Sequence, residues 1–485
     1  MPKPTIGLEI HAELKTRTKM FCDSLNDPEE KHPNVNVCPV CLGHPGTLPV
    51  PNREAVAHTI KTGLALGGTV AARAKFDRKN YFYPDLPKGY QISQYDEPLV
   101  AGGSLAIPGG PPDGVRVRRI HLEEDTGTLA HGAGGAGRGK YSLVDFNRAG
   151  VPLMELVTEP DIRSADDAAA FAREFQLILR YLGVSDANME KGEMRIEANV
   201  SWDMGTKVEL KNINSFKAVR DAVAYELARQ EGALARGEKI AQETRGWDEA
   251  AQKTVAQRSK EEAHDYRYFP EPDIPPFETA PFGVGEIRAS LPELPAAKRA
   301  RFVSEFGLAA GQADLLAAEP ALAAFFEETA SELDEFNADA SKARPAAVAN
   351  FLLGDLRALM NEAETGFDSL KISPARLARL VALGARGAIT SRQAKDVLAR
   401  MFAEGADPEE IIKREGLGVA EDMGEVEAAV LAVVGEHKAA ADDYRKGKTA
   451  SMQFLIGKAM AKLRGRARPE ILRELLEKIL TGGAG

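Results

Sequence analysis

The chain has 485 residues, 44% of them hydrophobic, which is enough to bury several cores and implies about three domains at ordinary domain size. A formal net charge of −10 excludes a generic nucleic-acid coat, since such proteins need basic surface to displace phosphate counterions, and any RNA contact must be local. Three cysteines exclude a disulfide framework, nowhere do 18 apolar residues run together, and the amino terminus lacks a signal-peptide pattern, so a cytoplasmic protein is expected.

In chain order, Ile6-Gly-Leu-Glu-Ile-His11 reads as a strand. Its period of two puts Glu9 and His11 on one face while Ile10 packs inward, a pairing suited to one metal ion. Cys22 with Cys38-Pro-Val-Cys41 supplies three sulfurs, two of them at a zinc-gripping spacing. A tetrahedral site needs one more ligand, for which Asp23, His32 and His44 are the candidates; the alternative is three reduced thiols in a loop. Glu123-Glu124-Asp125 follows Ile120-His-Leu. Adjacent carboxylates repel unless a cation lies between them, but such a run taken alone reads as solvated surface charge.

Gly134 to Lys140 has the GxxxxGK spacing of a phosphate-binding loop, yet Tyr141 stands where the magnesium-binding hydroxyl belongs, and a strand rather than a helix follows. This segment is expected to be a hairpin loop. Ser164 caps a helix whose Phe171, Phe175, Ile178 and Leu182 form one apolar stripe, ended by Gly183. Met194–Trp202 and Lys207–Ile213 read as a hairpin. Met194, Ile196, Ala198, Val200 and Trp202 face the core, and Arg195, Glu197, Asn199, Lys207, Glu209 and Lys211 form a charged opposite face. Beyond about residue 293, Ala, Leu, Glu and Arg dominate in helical spacing, with helix starts at Ser373-Pro374 and Thr390-Ser391. Lys458, Lys462, Arg464, Arg466 and Arg468 make a basic run without an acid, either a local RNA contact or a solvated helix end.

Phe76-Asp-Arg-Lys-Asn-Tyr-Phe-Tyr-Pro-Asp-Leu-Pro-Lys-Gly-Tyr-Gln-Ile-Ser-Gln94 resembles the signature of the B subunit of tRNA-dependent amidotransferases. Ile6–His11, His121–Gly127, Asp145–Glu155, Glu209–Phe216, Asp265–Pro272 and Asp443–Lys448 agree with it in order, so the resemblance covers nearly the whole chain. It implies ATP-dependent phosphorylation of the side-chain carboxylate of glutamate or aspartate misattached to tRNA(Gln) or tRNA(Asn), followed by displacement of phosphate by ammonia. It further implies magnesium on His11, Glu124 and Glu155, with Glu124 catalytic, an adjoining cation site on Glu9, Glu123 and Glu209, and Lys79 near the entry of ammonia. No cysteine or serine nucleophile with a base is evident in the chain, and the resemblance implies two partners in a heterotrimer, a separate amidase (glutaminase) subunit and a small third subunit. Zinc-binding relatives carry a fourth cysteine where this chain has Ser24.

The expected architecture is α+β. A mainly antiparallel cradle domain spans residues 1–293, a helical connector 294–368, and a helical tRNA-binding tail 369–485. A non-catalytic tRNA-binding scaffold is the alternative reading. A metal-dependent phosphatase or nuclease would use the same acids without nucleotide.

Overall fold

A computed structural model describes all residues except 1, 28, 132–140, 260–265, 337–343, 419–422, 464–465 and 482–485. The chain divides into two units, Met1–Leu294 and Pro295–Gly485.

The first unit is built on a ten-stranded sheet, antiparallel apart from one pair. Its long strands are β1 (Pro4–Glu13), β4 (Val115–Glu124), β5 (Pro152–Thr158), β6 (Met194–Trp202), β7 (Val208–Ile213), β8 (Glu243–Asp248) and β9 (Lys253–Ser259). They lie in the order β9-β8-β7-β6-β1-β5-β4, with short strands completing the edge beyond β4. A separate small sheet joins β2 (Asp77–Asn80) to β3 (Tyr90–Ser93) on one side and to β10 (Phe269–Pro270) on the other.

Alternation explains the layering. Ile6, Leu8, Ile10 and Ala12 of β1, Ile120 and Leu122 of β4, Met154 and Leu156 of β5, and Met194, Ile196, Ala198 and Val200 of β6 are buried in one core, together with residues of the helices α1 (Arg53–Ala65), α2 (Ala165–Leu182) and α3 (Phe216–Ala235). Trp202, expected in that core, is half-buried, since it closes its strand, and its indole N–H donates to the Leu227 carbonyl at the margin of α3. Ser164 caps α2 as expected, its hydroxyl accepting from the Asp167 N–H, and Gly183 ends it at φ 69°, a left-handed turn that costs glycine little.

The hairpin of β6 and β7 forms with a correction: β7 starts at Val208, and Lys207 is exposed before it. A bulge intervenes as well. Ala198 pairs Leu210 but Ile196 pairs Ile213, and Asn212 takes φ 61°, which lets Lys211 keep the polar face while Ile213 returns to the core. The Gly-rich segment expected as a hairpin loop lies outside the described residues; the strands flanking it, Thr128–His131 and Ser142–Asp145, do pair antiparallel.

The second unit is helical. One core runs from Phe302 to Ile411 and a second from Val426 to Leu480. Residue 368, the expected end of a connector, falls within the first of these, because helix Pro320–Phe336 packs on helix Pro374–Ala385 and the two share one interior. Ser373 and Thr390 cap their helices as expected.

Candidate active site

The polar face of the large sheet carries the site, and strand register assembles it. His121 of β4 stands opposite Glu155 of β5, Glu155 opposite His11 of β1, and His11 opposite Arg195 of β6, so one cross-strand row holds four functional groups from four strands. Two residues along β1, roughly 7 Å away, Glu9 lies opposite Glu197. One strand further, Asn199 lies opposite Glu209 and Glu209 opposite Thr244.

Two clusters result, each with donor atoms within 4.8 Å of one another: His11 with Glu123 and Glu155, and Glu9 with Glu197 and Glu209. His11 Nε2 is 3.5 Å from Glu123 Oε1 and 3.3 Å from Glu155 Oε2. His121 Nδ1 accepts from Arg119 Nε at 3.4 Å, which leaves its Nε2 to carry the proton facing Glu155, 3.2 Å away. Lys79 of β2 leans over this cluster with Nζ 3.4 Å from Glu123 Oε2 and 5.3 Å from the centre of the Tyr266 ring. In the second cluster Lys211 Nζ donates to both Glu197 oxygens at 2.8 Å, Asn199 donates to Glu9 at 2.9 Å, and Thr244 donates to Glu209 at 2.6 Å.

Electrostatics follow from burial and proximity. Burial alone would lower the His11 pKa, but Glu155 and Glu123 reverse this and push it up to about 10. Burial opposes ionisation of Glu123, yet Lys79 and His11 hold its carboxyl down at about 2, and His121 with His11 keep Glu155 well below the usual carboxylate range. Lys79 is raised despite its burial, by Glu123 and Glu155, so it is an ammonium at neutral pH and offers positive charge rather than a base. Glu9 is raised, by burial first and then by Glu155, Glu197 and Glu209.

The donor chemistry fits hard cations: one imidazole nitrogen with two carboxylates in the first cluster, three carboxylates in the second, both leaving positions for water and phosphate oxygens. His11, Glu155 and Glu123 are brought together. Glu124, expected with His11 and Glu155, is not: neighbours on a strand point to opposite faces, so Glu123 takes the polar side and Glu124 the other. Glu124 accepts from Lys88 Nζ at 2.7 Å and from the Ile92 N–H at 2.9 Å. The second cluster likewise contains Glu197 where Glu123 was expected. The acidic run is buried rather than solvated, Glu123, Glu124 and Asp125 each exposing 2–3% of their surface. Period two carried from His121 would have placed Glu123 correctly, but the register that brings Glu197, Arg195 and His121 into the site is not visible in the residues. Arg195 pairs with Asp125, and its Nε is buried without a partner.

The three cysteines converge behind this site, their sulfurs also within 4.8 Å of one another. Among the described residues none of Asp23, His32 and His44 joins that group; His32 pairs with Glu30 instead. The buried Lys19 Nζ is 3.9 Å from Cys41 Sγ and the Ser24 hydroxyl 4.0 Å from it. A hydrogen bond from Cys22, then the Cys38 N–H and Lys19, lower the Cys41 thiol to about 4. Three sulfurs with one readily ionised fit zinc with one position left for water, and the Lys19 ammonium would balance the excess negative charge of three thiolates. Lys88 reaches Glu124 past Gly43, where a Cβ would lie 2.5 Å from the Lys88 side chain.

In the second unit, Lys462 pairs with Glu436 and Arg466 with Glu425, acids brought in from the helix Met423–Glu436, while Arg468 donates to the Gly387 carbonyl. Lys458 is exposed beside Phe454. Arg464 lies outside the described residues. No helix of the described residues is long and apolar enough to cross a membrane.

This is a sheet-borne acid and histidine centre whose donor sets suit hard cations, and residues 4–281 match the family model of the GatB/GatE catalytic domain, with residues 325–480 matching that of the GatB domain. The chain is 48% identical over 482 residues to the B subunit of the aspartyl/glutamyl-tRNA(Asn/Gln) amidotransferase of Thermomicrobium roseum, covering 98% of each chain, and 46% identical to that of Thermus thermophilus over the whole length of both. It is 43% identical to that of Synechocystis, covering 98% of this chain and 97% of the other. The chain belongs to the family of amidotransferase B subunits.

Proposed function

We propose that this chain activates the side-chain carboxylate of glutamate or aspartate misattached to tRNA(Gln) or tRNA(Asn) by ATP-dependent phosphorylation, and then completes the amide with ammonia from a partner amidase subunit. The observation that carries this reading is the pair of adjoining cation clusters, His11–Glu123–Glu155 and Glu9–Glu197–Glu209, with the Lys79 ammonium above the first. Magnesium bound by these groups would neutralise the charge of the phosphoryl oxygens.

The remaining chemistry lies with the chain. A carboxylate resists attack until one of its oxygens becomes part of a leaving group, so its oxygen displaces ADP from the γ-phosphorus to give an acyl phosphate. Ammonia then attacks the acyl carbon, the C–O bond to phosphate breaks, and a proton is lost to water. Lys79, fixed by Glu123 and the Tyr266 ring, supplies a positive charge for the carboxylate and the departing phosphate. His121 and Arg119 orient Glu155 from behind, as outer partners of a ligand do. The separate amidase and the small third subunit complete the assembly in this reading, and the helical second unit holds tRNA.

The test is to reconstitute the chain with its amidase partner and measure ATP hydrolysis with and without Glu-tRNA(Gln) and Asp-tRNA(Asn). Stimulation by at least one RNA, with amide formed in step, is expected. Failure of both would sink the proposal.

A further inference from the structure

Tyr95 lies two residues beyond β3 and exposes 54% of its surface, yet it is held in place. Its ring stacks on that of Tyr268 with centroids 4.2 Å apart and planes 8° from parallel. Its backbone N–H donates to Asp77 Oδ2 at 3.0 Å, and Asp77 is fixed in turn by Lys75 at 3.1 Å. One side of the Tyr95 ring is therefore covered by Tyr268, while the residue as a whole is more than half exposed.

The stack is continuous with the active site. Tyr268 meets Tyr266 edge-on at 6.0 Å, Tyr266 lies under Lys79, and Lys79 pairs with Glu123. Burial raises the Tyr268 hydroxyl to about 12, with Glu123 and Glu155 adding to the effect and Lys79 opposing it, which sets the ring within the field of that cluster. The next residue after Tyr95, Asp96, is exposed and ionised, its carboxyl lowered by Lys75 at 2.7 Å. A flat aromatic ring fixed on one side by its stacking partner and more than half exposed as a residue suits a planar base, and such stacking needs no groove.

We infer that the Tyr95–Tyr268 pair is a stacking platform for an adenine ring beside the cation clusters. The inference rests on the proposed function, in which two adenines approach this site: that of ATP and that of the terminal adenosine of the tRNA.

The experiment uses the complex reconstituted with the amidase partner and compares Tyr95→Ala and Tyr95→Phe with the parent. Mg-ATP binding is measured by calorimetry, and binding of misacylated tRNA by filter retention, the latter also with unacylated tRNA that has or lacks its terminal adenosine. Tyr95→Ala should weaken one of the two ligands about tenfold or more while Tyr95→Phe stays near the parent. If ATP is the ligand weakened, the nucleotide is the source. If tRNA is, removing the terminal adenosine should cost the parent as much as the Ala variant loses, and cost that variant little. Tyr95→Ala binding both ligands within about twofold of the parent overturns the platform, as does a loss confined to assembly with the amidase partner. A parent complex that makes no amide would instead overturn the proposed function, and the two binding measurements would still judge the platform.

Discussion

Glu123 and Glu124 are chemically identical neighbours with opposite surroundings. Replacing Glu123 by Gln removes a charged member of the first cation cluster, and we expect ATP-dependent amide formation to fall about 100-fold or more, with a raised magnesium requirement in a metal titration. Glu124→Gln instead removes the charge of a buried carboxylate paired with the partly buried Lys88; it should lower stability by about 3 kcal/mol in chemical denaturation and leave the magnesium requirement unchanged. His11 gives a second prediction. Its pKa rises from the ordinary 6.5 to about 10 in the folded, metal-free protein, so the imidazolium contributes stability fully present below pH 6.5 and lost as pH rises through about 10. A cation taking Nε2 must displace that proton. Magnesium binding near pH 8 should release about one proton, read by calorimetry in buffers of different ionisation enthalpy, and affinity should rise with pH up to about 10. That Glu9 and His11 share a face was legible from alternation alone, but the expectation that both serve one ion fails, because register gives His11 to Glu123 and Glu155 and Glu9 to Glu197 and Glu209; the division of labour between Glu123 and Glu124 needed the same rule applied to β4.

Elements with self-contained signals were readable in the residues. Helix α2 declares its start at Ser164, its stripe at Phe171, Phe175, Ile178 and Leu182, and its end at Gly183. The polar faces of β6 and β7 were also readable, since period two does not depend on a partner. What alternation does not carry is register, so Glu197 was recognisable as an outward-facing acid but not as a neighbour of Glu9. The bulge was equally hidden, because an asparagine tolerates a left-handed backbone without requiring one, so Asn212 alone does not announce it. Substitution there has a clear expected cost: Asn212→Val puts a β-branched residue at φ 61° and removes the Asn212 bond to the Trp247 carbonyl, so a loss of about 2–3 kcal/mol is expected in denaturation. Asn212→Gly should restore most of the backbone share of that loss. For the cysteine loop, the protein as purified should carry about one zinc by mass spectrometry, lost in Cys41→Ser.

At the scale of the molecule, charge is distributed unevenly between what the sequence suggests and what space allows. The basic run near the carboxy terminus has no acid within it, yet Lys462 and Arg466 are paired by acids from another helix. Lys458→Glu and Arg468→Glu should each weaken tRNA binding and reduce its salt dependence by about one counterion, whereas Lys462→Glu should do less, with ATP hydrolysis in the absence of tRNA unchanged in all three. The position of β1 has a different kind of consequence. It precedes the other strands of its sheet along the chain, but it is central in the sheet, and its neighbours β5 and β6 are synthesised about 140 and 190 residues later. At ordinary translation speeds of about 5–20 residues per second, Ile6, Leu8 and Ile10 wait roughly 7–28 seconds with both edges unpaired. The strand that brings Glu9 and His11 to the catalytic face is thus also one that the nascent chain must keep from wrong partners until its neighbours arrive.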